Sequence, residues 1–236
     1  MRLYTNPMLT QVVHEYSRLM ESFKHHPRKT WHEMSETRLW EELCLCILSS
    51  NVSYELALSA FWHLRNMRLL NPKWIIGRET EVERIADELS KRIYLPRRKD
   101  GSLRKYRFPH TRARNIVNAT KVLYQNDHDL LWVLRKSDSE QEARAFLAEN
   151  IPGVGLKQAS HFLRNIGYSR SLAIIDSHVM GFLIEMGAIR KEKIKIVTPE
   201  IYIRLEKVVK NLCDSLGVNL SIFDMAIWQY MRGRSK

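Results

Sequence analysis

Apolar residues return every three or four positions along nearly the whole chain. They do so through Leu9–Phe23, Arg38–Trp62, Val82–Ile93, Arg112–Tyr124, Asp129–Leu134, Gln141–Ala148, Leu156–Ile166, His178–Met186, Pro199–Leu216 and Ile222–Met231. Each stretch marks one apolar face of a helix. Alternating β-branched runs closed by hairpin turns are missing, and the best strand candidate, Ile194–Val197, is too short to build a sheet. The periodicity therefore predicts an all-α fold. At 236 residues the chain has room for one large domain or two small ones, and a core of that size needs no covalent staple.

Charge narrows the partner. The chain carries 38 Lys and Arg against 26 Asp and Glu, a formal charge of +12. Such an excess points to a polyanion, either nucleic acid or an anionic membrane surface. Met1–Met20 is polar throughout and does not read as a signal peptide. Apolar runs such as Leu43–Leu48 and Leu172–Ile175 fall far short of the roughly 20 residues a membrane span needs. Nucleic acid is the partner this leaves. Six cations, Arg97, Arg98, Lys99, Arg104, Lys105 and Arg107, crowd the linker Pro96–His110, where Lys99–Ser102 reads as a turn. That linker is either a contact to a phosphate backbone or a solvated loop.

Cys44, Cys46 and Cys213 form no even framework and read as buried thiols in a reducing compartment. Three are too few for a four-cysteine zinc or iron–sulfur site. No histidine pair has metal-ligand spacing, so no metal is expected. Met34, Met67, Met180, Met186, Met225 and Met231, with Trp31, Trp40, Trp62, Trp74 and Trp132, are expected to pack in the core.

The segment Ile151-Pro152-Gly153-Val154-Gly155-Leu156-Lys157 lies between two helical stretches and reads as helix, tight glycine hairpin, helix. The backbone amides opening the second helix lack intrahelical partners and face a ligand with the positive end of the helix dipole, so a phosphate can dock there. Lys157 falls in that first turn, where a cation opposes the dipole. Two readings are open: a phosphate contact, or an amine nucleophile able to form a Schiff base with a sugar carbon. Nineteen positions later, Asp176 closes the apolar run Ala173-Ile174-Ile175 and precedes Ser177-His178. It is placed to cap the next helix, and a carboxylate so held can also stabilise positive charge developing on a sugar.

At these residues the chain resembles the helix-hairpin-helix superfamily of DNA base-excision glycosylases, and most of all the shorter type-2 8-oxoguanine glycosylase/lyases of archaea and bacteria. The iron–sulfur branch carries four cysteines after the motif, whereas only Cys213 follows it here. The resemblance implies that Lys157 attacks C1′ of the damaged nucleotide, that Asp176 assists, and that Gly153, Val154, Gly155 and His178 meet the DNA backbone. It also makes Asn51, in Leu48-Ser49-Ser50-Asn51, a contact for the orphaned cytosine. In the C-terminal stretch from Phe223 to Trp228 and at the last residue, it places Asp224, Trp228 and Lys236 at the base pocket, Trp228 stacking on the base.

It implies, further, two helical subdomains with the active-site cleft between them: residues 48–155 in one, and 1–47 with 156–236 in the other. The expected partner is double-stranded DNA with an oxidised base, bound by a cytoplasmic monomer, nucleoid-associated in a prokaryote, without cofactor. Two alternatives stay open: a related glycosylase/lyase for oxidised pyrimidines, and a non-catalytic helix-hairpin-helix module that binds DNA.

Overall fold

A computed structural model of the chain describes residues 6–25, 30–78, 80–125, 128–190 and 198–234. The strand candidate Ile194–Val197 and the terminal Lys236 lie outside the described residues. Among those described there are twelve α-helices and no strand: α1 Pro7–His25, α2 Glu36–Leu48, α3 Tyr54–Asn66, α4 Pro72–Ile75, α5 Glu81–Ser90, α6 Pro109–Tyr124, α7 Leu130–Lys136, α8 Glu140–Asn150, α9 Leu156–Asn165, α10 Ser177–Glu185, α11 Pro199–Leu216 and α12 Leu220–Arg234. The fold is all-α. No described helix is long and apolar enough to cross a membrane.

The chain divides into two compact units, residues 31–166 and residues 1–30 with 167–236. In the first, α2 is the central helix, packed by α3, α6, α7 and α9. Nine of its thirteen residues are buried, which is why its sequence reads as apolar on almost every face. Trp40 at its centre donates its indole N–H to the Leu70 carbonyl at 2.6 Å, so the large ring is buried without an orphaned donor. At its N-terminus Glu36 reaches across to α7, accepting from the amides of Leu130 and Leu131, both at 3.0 Å, and from the Tyr124 hydroxyl at 2.5 Å. Burial raises the carboxyl's pKa, and these donors oppose the shift. Cys44 and Cys46 are buried thiols, held well above their ordinary pKa by desolvation.

The second unit is centred on α12, against which α1, α10 and α11 pack. Leu220, Phe223, Ala226, Ile227 and Met231 form its buried stripe. Tyr16 on α1 accepts the Asn219 amide at the start of α12 at 3.0 Å.

Two expectations change. The run Arg38–Trp62 is two helices: Ser49 closes α2 by donating its hydroxyl to the Cys46 carbonyl, Asn51 turns the chain at φ +59°, and Ser53 caps α3 through the Leu56 amide. Serine side chains that satisfy helix ends break a periodic run that hydrophobicity alone joins. Trp62 and Trp74, at 44% and 45% exposure, and Met67 at 51%, lie on the surface instead of in the core. The contacts divide the chain at 30/31 and 166/167, α2 and α9 packing on each other and on the helices of the central unit.

Candidate active site

The glycine hairpin forms as its residues dictate. Leaving α8, Ile151 still donates to the Leu147 carbonyl, and Val154 donates back to Ile151 at 3.0 Å to close the turn. Both side chains are buried, so two apolar anchors hold a loop whose other residues face out. Gly153 has φ +82°, and a Cβ there would overlap the carboxamide of Asn115 on α6. Only glycine satisfies both constraints. Gly155 is extended and opens α9 with no side-chain cap, and the first turn of α9 contains no acid. The amides at that end are thus left for an anion from outside the chain. Lys157 is the second residue of α9, half-buried, and no described carboxylate pairs with it. One turn further, burial pulls His161 down to about 3, with the charges of Arg164 and Lys157 adding to the effect. An uncharged imidazole therefore follows the amine.

Helix α6 ties this hairpin to the turn that carries Asn51. Asn115 abuts Gly153; one turn earlier Arg112 donates to the Ser50 carbonyl at 2.7 Å; and before the helix Tyr106 donates its buried hydroxyl to Leu48. Asn51 itself is exposed in the left-handed region, a conformation asparagine tolerates better than most residues. It is neither a helix cap nor a helix-surface residue. Arg112 lies over the Phe108 ring with 5.5 Å to the centroid, and its Nε is the one buried side-chain nitrogen or oxygen without a hydrogen bond among the described residues.

In the other unit, the segment before Asp176 has no regular secondary structure and is held by side chains from α11 and α12. Glu206 accepts the Ala173 amide at 3.0 Å and Asp224 the Ile174 amide at 2.8 Å. The Tyr202 hydroxyl accepts from the Ile175 amide and donates to the Ala173 carbonyl. A buried backbone with no sheet partner needs such donors and acceptors. Asp176 then caps α10, its Oδ1 accepting the amides of His178 and Val179, both at 2.9 Å. No described hydrogen bond engages its Oδ2.

Trp228 is half-buried on α12. The His178 ring meets it edge-on at 6.2 Å, and the Arg232 guanidinium sits 4.7 Å from its centroid. A ring so flanked is held in orientation without being enclosed, unlike a core tryptophan.

The structure thus brings the expected residues together in two sets. Asn51, Gly153, Val154, Gly155 and Lys157 belong to one unit; Asp176, His178, Asp224 and Trp228 belong to the other. Asp224 is only 1% exposed and its Oδ2 is committed to the backbone. Tyr202, Glu206, Asn115 and His161 were not singled out by motif. Glu206 did carry a signal: it falls on the apolar stripe Tyr202, Leu205, Val209 of α11, where an acid requires a buried donor. No group of His, Cys, Asp and Glu that could hold a metal ion occurs among the described residues.

The chain is similar to known proteins in sequence and in fold. Residues 18–218 match the Ogg-HhH family, described as 8-oxoguanine DNA glycosylase. An 8-oxoguanine DNA glycosylase/AP lyase of Saccharolobus solfataricus is 33% identical over 196 residues, which span 83% of either chain. The crystal structure of Methanocaldococcus jannaschii 8-oxoguanine DNA glycosylase matches with a TM-score of 0.70 and 26% identity, over 95% of this chain and 92% of that one. The structure of the glycosylase/lyase of that organism in complex with 15mer DNA containing 8-oxoguanine has the same fold, with a TM-score of 0.67 at 24% identity over 98% and 94% of the two chains.

Proposed function

The chain belongs to the Ogg-HhH family of 8-oxoguanine DNA glycosylases, and from that premise we propose that it removes 8-oxoguanine from duplex DNA and cleaves the strand as an AP lyase. The observation that carries the reading within the chain is Lys157, an amine with no carboxylate partner among the described residues, in the first turn of an uncapped helix directly after the glycine hairpin. A helix end that only gripped phosphate would work with its backbone amides and would not need an amine there.

The chemistry follows from these groups. The lesion must leave the base stack, which costs a few kcal/mol and is repaid in a pocket that sandwiches the base; Trp228, held by His178 and Arg232, supplies one aromatic face. The Lys157 amine attacks C1′ as the bond to the base breaks, and the base leaves with the electron pair and takes up a proton. Asp176 Oδ2 faces the positive charge that develops on the sugar. Opening of the sugar ring gives a protonated Schiff base on Nζ. Its electron demand acidifies the C2′ hydrogen, and loss of that proton expels the 3′ phosphate. The hairpin amides at Gly153, Val154 and Gly155, with His178, hold the backbone, and Asn51 fills the space opposite the extruded base.

Borohydride trapping tests this on a duplex with 8-oxoguanine opposite cytosine. Wild type is expected to give a covalent protein–DNA band and Lys157→Gln none, while both bind the duplex. A trapped band in the variant would remove Lys157 from the reaction. Binding without trapping by wild type would move the substrate to another lesion, oxidised pyrimidines first, or reduce the protein to a binding module.

A further inference from the structure

We propose that the basic hairpin spanning Tyr94 to Arg107 is a second DNA-backbone surface, gripping duplex outside the site that takes the lesion. This rests on the reading that duplex DNA is the partner. Between Arg97 and Arg107 the chain places six cations and a single carboxylate. The hairpin has a defined shape. Tyr94 and Arg104 exchange backbone hydrogen bonds at 3.0 and 2.9 Å, Arg98 and Ser102 pair at 2.8 Å, and the buried rings of Tyr94 and Tyr106 anchor its two ends.

Two of the six cations are internal braces: Arg97 donates to the Gly101 carbonyl and Arg104 to the Pro96 carbonyl, both at 2.7 Å. Arg107 lies over the Phe108 ring, 4.9 Å from its centroid, and the remaining three, Arg98, Lys99 and Lys105, are exposed with no ion-pair partner among the described residues. Asp100 lies near Arg98, but its Oδ1 is committed to the amide and hydroxyl of Ser102. Glu88 on α5, whose carbonyl accepts the Tyr94 hydroxyl at the base of the hairpin, has its carboxylate occupied by Lys91 and His63. A loop that concentrates unpaired like charge raises its own electrostatic energy unless a polyanion is bound.

Two observations choose duplex DNA over other polyanions. The hairpin runs without a break into α6, the helix whose contacts fix both the Asn51 turn and Gly153, so its cations continue the proposed DNA surface within one unit. Its tip, Arg98-Lys99-Asp100-Gly101-Ser102, carries no apolar side chain to insert between lipids. Bound to phosphates alone, the hairpin would add affinity without sequence or lesion preference.

The test is the salt dependence of binding to undamaged duplex. Each phosphate contact contributes about 0.9 to the slope of log affinity against log salt. Arg98→Ala/Lys99→Ala/Lys105→Ala is expected to lower that slope by about 2–3, equally on undamaged and 8-oxoguanine duplexes. The charge-matched control Lys73→Ala/Arg135→Ala/Lys136→Ala should keep the wild-type slope. Lys99→Gln alone, at an exposed turn position, should remove about 0.9. An unchanged slope in the hairpin variants, an equal loss in the control, or a loss seen only with single-stranded RNA would overturn the proposal. Wild type that binds no duplex at any salt would overturn the partner reading along with it.

Discussion

The two segments that carry the proposed chemistry are built in opposite ways. The hairpin from Ile151 to Lys157 is anchored by two apolar side chains and leaves its polar groups open: glycines outward, an uncapped helix end, and an amine with no carboxylate partner among the described residues. The segment from Ala173 to Asp176 is saturated, each amide from Ala173 to Ile175 being taken by a side chain from a distant helix. Groups that must meet a ligand are left without partners, and a group that must only point in one direction is held by as many as the fold can supply.

The strongest way to break this contrast is Asp176→Asn. Asparagine caps helices as well as aspartate, so the fold should persist with an unchanged melting temperature. Removing the charge should slow base excision by about 10²- to 10⁴-fold in single-turnover assays. A variant that excises at the wild-type rate would make Asp176 a cap and nothing more.

Next in size is the saturated segment itself. Asp224→Ala strips the acceptor from the Ile174 amide, and a buried orphan of that kind costs about 1–3 kcal/mol. Denaturant unfolding should show the loss, with Asp224→Asn recovering part of it. An alanine variant as stable as wild type would mean that the segment is not held as described.

The hairpin answers to a smaller change. Gly153→Ala forces a side chain into the left-handed region, at about 1–2 kcal/mol, and also into Asn115. Adding Asn115→Ala should relieve the overlap but not the backbone strain, so the double variant should recover stability only in part. Full recovery would make the overlap the whole cause.

The smallest effect is a pH dependence from His161. Unfolded, this imidazole takes a proton near pH 6.5; folded, burial holds it neutral down to about 3. Below pH 6.5 the unfolded state therefore binds the extra proton, and stability falls by up to about 1.4 kcal/mol per pH unit until the folded group titrates. His161→Gln should flatten melting curves compared between pH 6.5 and 5.5. Parallel curves for variant and wild type would place the ring in solvent.

What was legible in the sequence follows the same divide. The hairpin could be read directly, because glycine, proline and lysine act through their own backbone and through helix ends a few residues away. Helix positions could be read too, apart from the single turn of α4, too short to show a period, and the break at Asn51, where two serines end and begin helices inside one apolar run. The clamps on residues 173–175 could not, since Tyr202, Glu206 and Asp224 stand 27 to 50 positions from the amides they serve. Asn115 was invisible for the same reason, and nothing in its local sequence marks it as the neighbour of Gly153. The exposure of Trp62 and Trp74 was missed because a bulky ring adds to an apolar pattern whichever way it faces.

In the proposed mechanism Asp176 divides its carboxylate between two tasks. One oxygen closes a helix and the other has no hydrogen-bond partner among the described residues. If the proposed mechanism holds, a replacement that keeps an oxygen at the first position preserves the architecture, and one that alters the second removes the chemistry. A lineage could therefore lose base excision in a single substitution and still inherit a well-folded protein that recognises damaged DNA. Selection for stability would not notice the change, and only selection for repair keeps the second oxygen in place.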